Sequence, residues 1–197
     1  IAAGLLLAFV LYSVKKRGND ADADADAVHV FLDLETLGIR YDAPVLVIAA
    51  YAVNSSGDKL AEGCWRIDPA NARLYGEADP ATVKWWSERS EEAKREAFEA
   101  GPRVSVPEAL QMLTGFIKAL SAAYGDQVFI WGNAPTLDCT VLRYAYSVAE
   151  LKVPWEYWQE RDVRTVAWVG EAIDYDAKGA LKFEGHRHIE LDDARHQ

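Results

Sequence analysis

Two carboxylates stand where a folding chain tolerates them least. Val28-His29-Val30-Phe31-Leu32-Asp33-Leu34-Glu35 is apolar and β-branched enough to read as a buried strand, yet it carries Asp33 and Glu35 near its end. Side chains alternate along a strand, so these two project to one side while Leu32 and Leu34 take the other. Carboxylates survive in such a place when they are hydrogen-bonded, paired or neutralised by a metal ion. The pair offers two hard oxygen donors side by side, the donor type that suits magnesium or manganese.

The rest of the chain supplies a scaffold for that strand. Val45 to Val53 reads as a second strand, turn chemistry follows at Asn54-Ser55-Ser56-Gly57-Asp58, and Lys59 to Ile67 reads as a third. Short connections make these an antiparallel meander. Helical patterns follow: a start at Asp79-Pro80 with Thr82 to Ser87 in the body, Ser90 to Phe98, and an amphipathic stretch from Val106 to Ala123. Val128 to Trp131 is a further short strand and Pro135 to Val148 a helix behind it. Asp162 to Gly170 is a helix with Asp162 near its cap, and Gly185 to Gln197 a last one. The order implies an α/β fold in which a mixed sheet, a three-strand antiparallel meander plus further strands, has helices packed on it.

Length and charge narrow the class. A chain of 197 residues supports one domain with a substantial core. A net charge of −10 argues against a protein that coats nucleic acid, but not against a nuclease, because divalent ions reverse the field inside an acidic pocket. Cys64 and Cys139 lack a metal-binding spacing and read as free thiols in a reducing compartment. Ile1 to Val14 is almost wholly apolar and precedes Lys15-Lys16-Arg17, but a bilayer span takes about 20 apolar residues. Two readings stand for residues 1–17: the end of a membrane anchor with its basic cluster on the cytoplasmic side, or a leader outside the fold. Residues 18–27, with their Asp-Ala alternation, form an acidic low-complexity linker, and 28–197 form the folded domain. The start at Ile1 and the stop soon after Asp193 suggest that both termini are clipped. A cytoplasmic location is expected, tethered at the N-terminus under the first reading.

Further along lie Trp131-Gly132-Asn133-Ala134-Pro135-Thr136-Leu137-Asp138 and His188-Ile189-Glu190-Leu191-Asp192-Asp193. Asp138 falls in the first turn of its helix, where the helix dipole favours its charge. The succession Asp-x-Glu, a Trp-Gly-Asn segment ending in Asp, and His-x4-Asp resembles the DEDDh superfamily of 3′–5′ exonucleases. Thr82-Val83-Lys84-Trp85-Trp86 and Pro154-Trp155 with Arg161-Asp162-Val163-Arg164-Thr165 are similar to the branch that contains the mycobacterial 3′–5′ exoribonuclease-like domain and the T-even phage exonuclease A. The resemblance runs from residue 28 to 197. It implies an RNase H-like fold, two divalent ions (Mg2+ or Mn2+) held by Asp33, Glu35, Asp138 and Asp193, and His188 as the general base toward the attacking water. Glu190 departs from the family, which has alanine there. Helical pitch alone would put His188 on a face with Asp192, so Asp192 stays as the alternative to Asp193.

Substrate contacts are expected from several residues. By resemblance, Thr36, Leu37 and Gly38 wedge against the terminal nucleotide. Trp85 and Trp86 point about 100° apart on a helix, so one packs while the other stacks on a base or lines the groove; both being half-buried is the plainer alternative. Asn133 is expected on the substrate side. Arg161 and Arg164 either bind phosphate or form ordinary ion pairs. The expected substrate is single-stranded or 3′-overhang RNA or DNA, with RNA favoured, and a homodimer is among the expected assemblies. Two other functions compete: a catalytically silent nucleic-acid-binding module of the same fold, and an enzyme of free nucleotides or very short oligonucleotides.

Overall fold

The computed structural model describes residues 27–125, 127–173, 175 and 190–196. The leader at 1–17 and nearly all of the linker at 18–27 lie outside the described residues, as do the start of the last expected helix and His188. No helix among the described residues is long and apolar enough to cross a membrane.

Strands β1 (Val28–Thr36), β2 (Val45–Asn54) and β3 (Lys59–Ile67) form the expected antiparallel meander. The turn between β2 and β3 is built by Asn54, whose Oδ1 accepts from the Ser56 and Asp58 amides, with Gly57 at φ 86°. Strands β4 (Arg103–Val104), β5 (Val128–Gly132) and β6 (Glu160–Asp162) complete one six-stranded sheet in the order β4-β3-β2-β1-β5-β6. β5 runs parallel to β1 and β6 parallel to β5, so the sheet is mixed and β1 lies in its interior.

Each face of β1 has its own cover. Val28, Val30 and Leu32 are fully buried on one face, and the first six residues of the neighbouring β2 are buried on both of its faces. Helix α4 (Val106–Tyr124) packs on this face, burying Val106, Ala109, Leu110, Leu113, Ile117 and Leu120 at helical spacing and setting Phe116 edge-on to Trp65 of β3. Its start is a capping box: Ser105 accepts from the Glu108 amide while the Glu108 carboxylate accepts from the Ser105 amide. Helix α5 (Asp138–Val148) lies beside α4, where the buried Tyr146 hydroxyl donates to the Leu110 carbonyl and sits 2.9 Å from the Thr114 hydroxyl. Burial pushes this phenol up to about 12. The opposite face carries His29, Phe31, Asp33 and Glu35, and helix α7 (Glu190–His196) lies across it.

Four shorter helices fill the connections. α1 (Pro69–Ala72), α2 (Pro80–Ser87), α3 (Glu91–Phe98) and α6 (Val163–Glu171) are capped by Asp68, Asp79, Ser90 and Asp162 through their own side chains. Two expectations shift. Pro135 to Leu137 form turns, with the Asp138 and Leu137 amides both bonded to the Ala134 carbonyl, so α5 begins at Asp138 rather than Pro135. Strands β4 and β6 and helix α1 were not expected; at two to four residues they are too short to show a period. Neither Cys64 nor Cys139 is in a disulfide, and burial together with the charges of Glu160 and Asp138 pushes the Cys139 thiol up.

The α4–α5 contact is open to test. Tyr146→Phe removes the hydroxyl without emptying the site, and is expected to lower stability by about 1–2 kcal/mol. This would appear as a lower urea midpoint with an unchanged slope.

Candidate metal centre

Alternation places Asp33 and Glu35 on the same face of β1, two residues apart, where the strand is about to leave the sheet. Asp193 reaches them from α7, and one carboxylate oxygen from each of Asp33, Glu35 and Asp193 lies within 4.8 Å of the others. Glu35 is buried; Asp33 and Asp193 are half-buried. Three carboxylate oxygens this close are a hard donor set that fits a divalent ion of the magnesium or manganese type.

What presents Asp193 is the docking of α7. The next residue, Ala194, is fully buried, and Arg195 donates to Glu62 of β3 at 2.7 Å while its guanidinium lies over the Tyr51 ring of β2. Hydrogen bonds from Lys59 and then Arg195 hold the Glu62 carboxyl below the usual carboxylate range. Asp192 is turned to Arg195, at 3.4 Å, while Asp193 joins the cluster. Of the two neighbours, Asp193 is the one that the fold brings to Asp33 and Glu35.

Asp138 approaches from the other side of β1. It is the first residue of α5, 6% exposed, and its Oδ2 accepts from the Ala134 amide at 3.2 Å. Burial pushes its carboxyl up to about 6, against the lowering effects of the Ala134 and Asp138 amides and of Arg164. It does not belong to the three-carboxylate cluster; it lies against Gly132, which pairs with Leu32, the residue before Asp33. A Cβ at Gly132 would meet Asp138 Oδ2 at 2.8 Å and the Pro135 Cα at 3.1 Å. Gly132 is thus what lets this carboxylate lie against the strand end, a role that sequence reasoning missed although the glycine between Trp131 and Asn133 was its signal.

Beside Glu35 opens a groove of about 380 Å³ lined by Glu35, Thr36, Gly38, Ile39, Asp79, Ala81, Thr82, Trp85 and Trp86. The structure divides the expected substrate residues unevenly around it. Trp85 is half-buried at its wall, with the Arg89 guanidinium 4.3 Å above its ring. Trp86 is 3% exposed and donates through Nε1 to the Thr36 carbonyl at 2.9 Å. Thr36 donates its hydroxyl to the Gly38 carbonyl. Leu37, expected against the terminal nucleotide, is packed in the core instead. Its amide donates to the Pro44 carbonyl and its carbonyl accepts from the Asp79 amide, which turns the side chain inward. Ile39, strongly exposed and not expected, holds the outer lip.

The remaining expected residues lie apart from the groove. Asn133 is exposed in the bend after β5. Arg161 lies over the Phe129 ring and donates to the Trp158 and Glu160 carbonyls. Arg164 is exposed at the start of α6, near enough for its charge to act on Asp138. Glu190 opens α7, and its side chain, like His188, lies outside the described residues.

A family model described as the 3′–5′ exoribonuclease Rv2179c-like domain matches residues 28–197. No curated protein matches the chain. Among solved structures, exonuclease I, in a study of how its processivity is achieved, is 14% identical with a TM-score of 0.62, over 86% of this chain and 39% of that one. A zinc-bound E. coli exonuclease I–ssDNA complex is 16% identical with a TM-score of 0.60, over 86% and 38%. The nuclease domain of 3′hExo, a DEDDh family member bound to rAMP, is 11% identical with a TM-score of 0.59, over 89% of both chains. This chain spans about two fifths of the exonuclease I structures that it matches. At these identities the likeness is one of fold, and the fold is the RNase H-like exonuclease fold.

The buried Asp138 carboxyl makes a pH-dependent prediction. Its folded pKa of about 6 lies above the ordinary 3.8, so the stability it contributes is full below 3.8 and is lost as pH rises through 6. Without divalent ions, Asp138→Asn is therefore expected to be more stable than the parent at pH 8, by at most about 2–3 kcal/mol. The two proteins should converge below pH 4, as measured by urea denaturation in EDTA.

Proposed function

We propose, because the chain belongs to the 3′–5′ exoribonuclease Rv2179c-like family, that it removes nucleotides from the 3′ end of RNA by hydrolysing the terminal phosphodiester. The observation that carries this reading is the convergence of Asp33, Glu35 and Asp193 within 4.8 Å beside a groove of nucleoside size. With Asp138 they are assigned as ligands of two divalent ions, Mg2+ or Mn2+. Such ions, when bound, supply charge stabilisation at the phosphate and lower the pKa of an attacking water. Everything else falls to the chain. Glu35 belongs both to the acidic cluster and to the groove wall, so a terminal nucleoside in the groove brings its phosphate beside the carboxylates. Trp85 gives that nucleoside an aromatic wall, and Ile39 with Gly38 bounds the other side. His188 is assigned, from its place in the His-x4-Asp motif, to accept the proton of the attacking water.

The complexes of relatives support a nucleic-acid substrate: one solved exonuclease I holds ssDNA, and the 3′hExo nuclease domain holds rAMP. Residues 28–197 are assigned as the nuclease domain, 18–27 as a linker and 1–17 as a leader or anchor.

The deciding experiment is digestion of 5′-labelled single-stranded and 3′-overhang RNA and DNA with Mg2+ or Mn2+. A ladder shortening from the 3′ end, abolished by EDTA and by Asp33→Ala, is expected, with RNA degraded faster. Folded, metal-loaded protein that leaves every strand intact would favour the silent binding module. Gly132→Ala provides a second check: its Cβ displaces the Asp138 carboxylate, and activity is expected to fall by about 10- to 100-fold with the fold retained.

A further inference from the structure

We infer that Trp86 is a positioning residue for the ligand-bearing end of β1, acting through the Thr36 carbonyl rather than on substrate; this inference rests on the nuclease reading. The ladder between β1 and β2 slips between Glu35 and Thr36, where the two strands change register. A carbonyl at such a break depends on a donor from elsewhere. The Trp86 indole supplies one at 2.9 Å, from a helix 50 residues further along the chain. The ring packs edge-to-face with Trp85 at 5.1 Å and Phe98 at 5.3 Å and is 3% exposed. One residue further on, the Asp79 amide ties the Leu37 carbonyl to the start of the same helix at 2.8 Å. Helix α2 therefore grips the chain at 36 and 37, immediately after Glu35. Without the indole bond the chain directly after Glu35 loses an anchor at the point where the β2 ladder shifts register, and the carboxylate is held less firmly beside Asp33 and Asp193.

The test is Trp86→Phe in the full chain, which keeps an aromatic ring between Trp85 and Phe98 and deletes the donor. Mn2+ affinity is read by electron paramagnetic resonance of the free ion, and kcat and KM on 5′-labelled RNA. The expected result is Mn2+ binding weakened by about tenfold or more and a lower kcat at limiting metal. The KM for RNA should stay near the parent value, and the melting temperature should fall no further than in the Phe98→Leu packing control. Phe98→Leu, which loosens the same aromatic packing but leaves the N–H, should lower the melting temperature and keep the parent Mn2+ affinity. A folded Trp86→Phe protein that binds Mn2+ like the parent would overturn the inference. So would Phe98→Leu weakening Mn2+ to the same degree, since packing alone would then account for the effect. If the parent and Glu35→Gln bind Mn2+ equally poorly, the metal assignment itself fails, and this inference with it.

Discussion

Repulsion among like charges is the constraint that the surrounding structure has to oppose. Two unit charges about 5 Å apart repel by about 3 kcal/mol at an effective dielectric of about 20. Asp33, Glu35 and Asp193 meet at that range, and Glu35 is also largely cut off from water. Covalent neighbours cannot hold such a cluster, so the hydrogen-bonded frame does. β1 is laddered to β2 from Val28 to Glu35, where the register shifts, and to β5 over Val28 to Leu32, so its carboxylate end also draws on ties from outside the sheet. α7 is fastened through Ala194 in the core and Arg195 on Glu62. Folding free energy from the apolar face thus holds an arrangement on the other face that a divalent ion can relieve.

The same frame joins the carboxylates to the groove. The segment after Glu35 is tied to α2 at Thr36 and Leu37, to Pro44 through the Leu37 amide, and internally by the Thr36 hydroxyl. These ties hold Glu35 beside one wall of the groove. Asp138 is placed by separate means, the missing side chain of Gly132 and the turn at Ala134 to Leu137. A net charge of −10 fits this division: an acidic chain meets a polyanion favourably only where bound cations reverse the local field.

Much of this was written in local pattern. The bounds of β1, β2 and β3 follow from apolar runs and turn residues, and differ from the sequence reading by at most one residue. Alternation along β1 set Asp33 and Glu35 on one face before any partner was known. The caps at Asp79, Ser90 and Asp162 follow from side chains that reach only their own first turn. β4 and β6 left no such pattern, because strands of two or three residues owe their existence to the neighbour they pair with.

The sequence by itself determined the element order, the faces of the strands and the identities of the acidic residues, because each depends on spacing within a few residues. Only the tertiary structure decided which candidates meet. Helical pitch left Asp192 and Asp193 open, and the docking of Arg195 on Glu62 brings Asp193 to the cluster. Adjacency said that Trp85 and Trp86 diverge, but not which turns inward; the break in the β1 ladder at Thr36 takes the Trp86 indole. Leu37 looked like a groove residue until its two backbone bonds turned it into the core. In each case the deciding contact joins segments far apart in the chain, and no local period encodes the distance between them.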